Sequence, residues 1–217
     1  GRVVDQATEG GVTTLFMAAQ NGHPEVVRAV VEAGASVDQV REGGATPLFI
    51  AAQQGRYEVV RALLEVGASV DQAKEGGATP LFMAAQNGHL EVVRALVEAG
   101  ASVDQADEDG TTPLFMAAQK GHLEVVRVLV ETGASVDQAD EDGVTSLILA
   151  ARKGHLEVVR ALVEASASVD QANKDGGTPL YWAARKGHLE VVRALAEAGA
   201  SVDQARKDGD TPLIMAA

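Results

Sequence analysis

Residues 77–100 read Gly77-Ala78-Thr79-Pro80-Leu81-Phe82-Met83-Ala84-Ala85-Gln86-Asn87-Gly88-His89-Leu90-Glu91-Val92-Val93-Arg94-Ala95-Leu96-Val97-Glu98-Ala99-Gly100. Thr79-Pro80 opens a short helix, because proline is favoured at the first helical position, where its missing N–H costs nothing. Gly88 ends that helix. A second starts near Leu90 and sets Val92, Val93, Leu96 and Val97 on one apolar stripe, with Gly100 as a left-handed stop. Neither helix buries its stripe alone, so the unit requires a neighbour.

The neighbours are in the sequence. Thr13, Thr46, Thr79, Thr112, Thr145, Thr178 and Thr211 recur every 33 residues without insertion or deletion, the mark of a repeat array. Six full units span 8–40, 41–73, 74–106, 107–139, 140–172 and 173–205, with partial units at 1–7 and 206–217, so the whole chain 1–217 reads as one array. In the first unit Pro24 stands where later units have leucine, which fits a helix start. Between units, Ser102-Val103-Asp104-Gln105 leads into Asp109-Gly110, a turn dipeptide, so each junction is expected to project a β-hairpin-like finger. The expected fold is an all-α solenoid of stacked helix-turn-helix units with loop fingers.

The run Gly77-Ala78-Thr79-Pro80-Leu81, then Ala84-Ala85, then Gly88-His89-Leu90-Glu91-Val92-Val93, then Gly100-Ala101 closely resembles the ankyrin repeat over nearly the whole chain. The resemblance implies a concave surface lined by helix ends and finger tips that binds other proteins. Two departures stand out. The family usually has histidine after Thr-Pro-Leu, where this chain has Phe16, Phe49, Phe82, Phe115, Ile148, Tyr181 and Ile214, so apolar packing is expected to replace a polar link. Asp38, Asp71, Asp104, Asp137, Asp170 and Asp203 stand where the family often has asparagine, which removes the expectation of asparagine hydroxylation.

Composition agrees with an array of small contacts. Hydrophobic residues make up 46% but aromatics only 3%, so Ala, Val and Leu must fill the core at close helix contacts. No apolar run of membrane-spanning length and no signal-peptide pattern occurs, and cysteine is absent, which fits a reducing, cytoplasmic setting. Nineteen of the 31 acidic residues and six of the 18 basic ones recur in the repeat frame, so the frame carries the whole net charge of −13. That charge disfavours nucleic acid, whose binding needs a clustered basic surface.

Catalysis is not expected. His23, His89, His122, His155 and His188 share one place in the repeat and read as structural, since equivalent residues roughly 10 Å apart cannot converge on a metal. The neighbouring glutamate, such as Glu91, also recurs, whereas an active site is normally singular. No phosphate-binding glycine loop or thiol nucleophile is present, and neither a cofactor nor a metal is called for.

Positions that vary while the frame repeats are free of packing duty and are candidates for recognition. At the end of the first helix the pairs run Gln20/Asn21, Gln53/Gln54, Gln86/Asn87, Gln119/Lys120, Arg152/Lys153 and Arg185/Lys186, from neutral to basic. The finger tips are most acidic at Asp107-Glu108-Asp109 and Asp140-Glu141-Asp142. Met17, Met83, Met116 and Met215 share one position with Ile50, Leu149 and Trp182, and packing between repeats is weighed against exposed recognition for that ladder. The expected partner-binding set is Lys120, Arg152, Lys153, Tyr181, Trp182, Arg185, Lys186 and the two acidic tips. The ligand expected is a protein or extended peptide, acidic with an apolar anchor.

The alternatives are an engineered or purely structural array without a dedicated partner, and a targeting module or enzyme accessory excerpted from a larger protein, since the chain begins and ends inside a repeat. Thr14, Tyr57, Ser146 and Ser166 break the regularity and favour a natural array. Leu213, Ile214, Met215, Ala216 and Ala217 form a first helix without a second, so end-to-end self-association is expected.

Overall fold

The computed structural model describes residues 5–204 and 206–207. The chain divides into two compact units, Gly1–Glu108 and Asp109–Ala217. Among the described residues the first unit holds α1 (Thr14–Asn21), α2 (Pro24–Glu32), α3 (Pro47–Gln53), α4 (Tyr57–Glu65), α5 (Pro80–Asn87) and α6 (Leu90–Glu98). The second holds α7 (Pro113–Lys120), α8 (Leu123–Glu131), α9 (Ser146–Lys153), α10 (Leu156–Glu164), α11 (Pro179–Lys186) and α12 (Leu189–Glu197).

Each first helix starts on its threonine. The Oγ1 atoms of Thr46 and Thr79 accept the N–H of Phe49 and Phe82 at 3.1 Å, and Thr112 and Thr178 accept those of Phe115 and Tyr181 at 3.2 Å. Such a cap contributes about 1 kcal/mol. Within each unit the helices form two layers. In the first unit α1 packs on α3 and α3 on α5, while α2 packs on α4 and α4 on α6. In the second, α7 packs on α9 and α9 on α11, with α8, α10 and α12 behind. Paired alanines such as Ala51-Ala52 and Ala150-Ala151 are fully buried and let the helices approach closely.

The departures from the family pattern have physical counterparts. Phe16, Phe49, Phe82, Phe115, Ile148 and Tyr181 are all buried, so apolar packing fills the place of the usual histidine. The frame aspartates reach into the next repeat. Asp38 accepts the Ser69 N–H at 3.0 Å and its hydroxyl at 2.6 Å, Asp71 does the same for Ser102, and in the second unit Asp137 and Asp170 accept the N–H of Ser168 and Ser201. The methionine position packs between neighbours: Ile50, Met83, Met116 and Leu149 are buried, and Met17 is exposed.

The fingers are hairpin-like turns, closed where the N–H groups of Arg41, Lys74, Asp140 and Asn173 donate across the loop to the carbonyls of Ala45, Ala78, Val144 and Gly177. Among the described residues the one β-bridge joins Ala139 and Thr145, and each finger is otherwise a tight turn. Tip N–H groups are used between successive fingers: Glu42 and Glu75 donate to the carbonyls of Gly10 and Gly43, and Glu141 and Lys174 to those of Asp109 and Asp142. Two kinds of turn occur. Where the first tip residue has an acceptor, it caps its own loop: Asp140 Oδ1 takes the N–H groups of Asp142 and Val144 at 2.9 and 2.8 Å, and Asn173 takes those of Asp175 and Gly177. Where that residue is Arg41 or Lys74, the third residue is a glycine in the left-handed region, Gly43 at φ 85° or Gly76 at φ 89°. The cation then lies over the preceding repeat's ring, Arg41 over Phe16 and Lys74 over Phe49. The C-terminal residues Leu213–Ala217, on which the expectation of self-association rests, lie outside the described residues.

Candidate partner-binding surface

The last turns of α7, α9 and α11 carry Lys120, Arg152, Lys153, Arg185 and Lys186 and no acidic residue. Cations there complement the negative end of the helix dipole. Lys120, Lys153, Arg185 and Lys186 are exposed and Arg152 is half-buried. Among the described residues none of the five makes an ion pair. The contrast lies on the second helices, where Arg127, Arg160 and Arg193 pair with Glu124, Glu157 and Glu190 three residues earlier. These second-helix arginines are therefore paired on their own helices, while the first-helix cations remain available.

Trp182 organises two of them. The Arg152 guanidinium lies 5.6 Å and that of Arg185 5.3 Å from its ring centroid, within range of a cation–π interaction. One Nη1–H of Arg185 also reaches the Tyr181 hydroxyl at 3.5 Å, and the remaining in-plane N–H donors of the two guanidinium groups can serve a ligand. Tyr181 meets the indole edge-on at 5.5 Å. The indole Nε1 is buried and has no hydrogen-bond partner among the described residues. It is seated over Gly177, where an added Cβ would come within 2.6 Å of it. Repeats with a smaller residue at the tryptophan position have Val12, Ala45, Ala78, Thr111, Val144 or Asp210 in place of that glycine.

Two sequence expectations need correction. Tyr181 is 1% exposed, because it fills the core position that the family gives to histidine. It acts through what it holds, its hydroxyl accepting from Arg206 at 3.0 Å under a guanidinium 4.9 Å from its ring. Asp140 is half-buried and its carboxylate caps its own loop, so it is a structural residue of the finger. Glu141 and Asp142 are exposed, as is Asp109. Asp107 and Glu108 belong to the first unit, so the set expected from sequence is distributed over both units.

The corresponding helix ends of the first unit present amides. A cleft of about 500 Å³ there is lined by Gln53, Gln54, Met83, Gln86, Asn87 and His89. The histidines link repeats: Nε2–H of His89 donates to the Gln53 carbonyl at 3.1 Å, and His155 and His188 donate likewise to those of Gln119 and Arg152. In the second repeat Arg56 takes this place and donates to the Gln20 carbonyl. Each such ring or guanidinium is thereby committed to a backbone oxygen of the repeat before it.

A threonine cap, a glycine-ended first helix, an amphipathic second helix and a histidine link, recurring at one register, also match at the level of sequence: the family model described as ankyrin repeats (3 copies) covers residues 2–74, 67–140 and 147–217. The chain belongs to the ankyrin repeat family. The crystal structure of the human ASB11 ankyrin repeat domain is similar at TM-score 0.87 and 30% identity, over 95% of this chain and 92% of that one. The ankyrin repeat domain of Bcl-3, described as a unique member of the IkappaB protein family, is similar at TM-score 0.86 and 30% identity, over 96% of each chain. No curated protein matches the chain. Ankyrin repeat domains are generally protein–protein interaction modules and typically non-enzymatic. Among the described residues of this one, no helix is long and apolar enough to cross a membrane.

Sequence reading missed Gly177, Asn173 and Arg206 as parts of the ankyrin surface around Trp182. A signal existed for Gly177: the smallest residue of its repeat position occurs five residues before the largest residue of another. Arg206 had no local signal, since its ring partner lies 25 residues earlier.

Proposed function

We propose that this ankyrin repeat chain is a non-enzymatic protein-interaction scaffold whose second unit binds an acidic, extended segment of a partner protein along the ends of α7, α9 and α11. The observation that carries the reading is the set of five cations there with no ion-pair partner among the described residues, two of them held against one indole. A carboxylate meeting a stacked guanidinium gains a charge-assisted, bidentate contact. Screening confines the attraction to about 8 Å at physiological salt, so a local cationic row attracts a short acidic segment although the chain as a whole carries −13. Exposed Glu141 and Asp142 on the neighbouring finger disfavour acidic segments that bind out of register. Both arginines pack on the Trp182 ring, so an apolar anchor of the partner competes with them for it.

Trp182 is the chain's one tryptophan, so its emission reports on the site directly. Titration with a capped glutamate-rich peptide should shift that emission with saturation, and a glutamine peptide of equal length should not. Arg152→Glu should chiefly slow association, and Trp182→Ala should cost about 2 kcal/mol of affinity once a natural partner is in hand. Saturable binding that survives Arg152→Glu together with Lys153→Glu, but is lost on changing Gln20 and Gln53, would move the site to the first unit.

A further inference from the structure

The cations at the helix ends form a row in register. Lys120, Lys153 and Lys186 are the last residues of α7, α9 and α11, three helices of eight residues, each followed by a left-handed glycine, Gly121, Gly154 or Gly187. All three lysines are exposed, and α7 packs on α9 and α9 on α11. Helices in contact lie about 8–10 Å apart, so the second unit offers one cation per repeat at that interval. Arg152 and Arg185 make a second, shorter row one residue earlier.

An extended partner meets such a row only if its anions recur at the same interval on one side. In a β-strand, same-side residues are about 7 or 13 Å apart, and neither matches. In a polyproline II segment, residues three apart lie on the same side and about 9 Å apart, which does. From this match we infer that the surface takes a polyproline II segment with an acidic residue at every third position, one carboxylate per repeat. The inference rests on the acidic-segment reading above and adds the spacing. The recognition is of a protein segment rather than a polyphosphate, because the exposed finger carboxylates Glu141 and Asp142 oppose a continuous polyanion.

The test uses the full chain and three capped peptides of equal length and charge. Each holds three glutamates in a proline- and glutamine-rich background, set two, three or four residues apart, and Trp182 emission is the readout. The three-residue spacing should bind about fivefold more tightly than either other, the effect of about one additional exposed ion pair. Lys153→Gln removes the middle cation from an exposed position and should bring the three peptides to parity. Equal affinity for all three in the parent chain overturns the spacing and leaves the acidic-segment reading standing. No binding by any peptide overturns both. Tighter binding of an oligothymidylate than of any peptide overturns the protein-segment occupant.

Discussion

Ser166 is the one residue other than glycine with a positive φ among the described residues, at 65°. In the same place the other repeats have Gly34, Gly67, Gly100, Gly133 and Gly199, at φ 88–97°. A residue with a Cβ pays about 1–2 kcal/mol for the left-handed region, and glycine returns about 0.5–1 kcal/mol of that through the greater freedom of its unfolded chain. No contact offsets the strain, since Ser166 is exposed and a Cβ at the equivalent Gly133 meets nothing within 4 Å. Ser166→Gly should therefore stabilise the chain by about 0.5–1 kcal/mol, and Gly133→Ser should destabilise it by a similar amount, because the left-handed strain outweighs the entropy term of the unfolded chain. Denaturant titration followed by circular dichroism measures both. Since a repeat array opens in parts, hydrogen exchange supplies the local reading: residues 140–172 should open more readily than 74–106 in the parent, and Ser166→Gly should narrow the difference. A neutral or destabilising Ser166→Gly, with Gly133→Ser tolerated, would show that the turn is not strained and refute the reasoning.

Gly177→Ala should force the indole out of its seat, because the new Cβ would lie 2.6 Å from Nε1 in a backbone that alanine otherwise accepts. The expected result is a shifted Trp182 emission and a loss of about 1–3 kcal/mol, and unchanged emission would contradict the packing. Asp71→Ala removes the acceptor of both the N–H and the hydroxyl of Ser102 and should cost about 1–2 kcal/mol by denaturation. Asp71→Asn, which keeps a carbonyl acceptor, should cost less.

What the sequence disclosed was local or periodic. Thr79-Pro80, Gly88 and the Val92–Val97 stripe act within one turn of helix, so their consequences followed from short-range rules, and the period then propagated them. The roles of Asp71, His89 and Arg206 depend on groups 25–36 residues away and exist only once repeats stack. Asp140 misled for a different reason: an acidic tip resembles a surface charge, but its carboxylate satisfies two N–H groups of its own turn. Tyr181 misled because an aromatic beside a tryptophan resembles a hot spot, whereas its repeat position is a core position. The row of unpaired cations was legible as a trend from glutamine to lysine, but its freedom from carboxylates required the side chains of the stacked units.

The central claim is that the cations ending α7, α9 and α11 recognise an acidic segment. Its most direct test is the affinity of one fluorescein-labelled glutamate-rich peptide for the parent chain and for a chain with Lys120, Lys153 and Lys186 all changed to glutamate. All three positions are exposed, so the fold should be retained, as a circular dichroism spectrum would verify. The account predicts saturable, salt-sensitive binding to the parent and loss of at least about tenfold in affinity in the variant. Equal affinity of the two folded chains would contradict it.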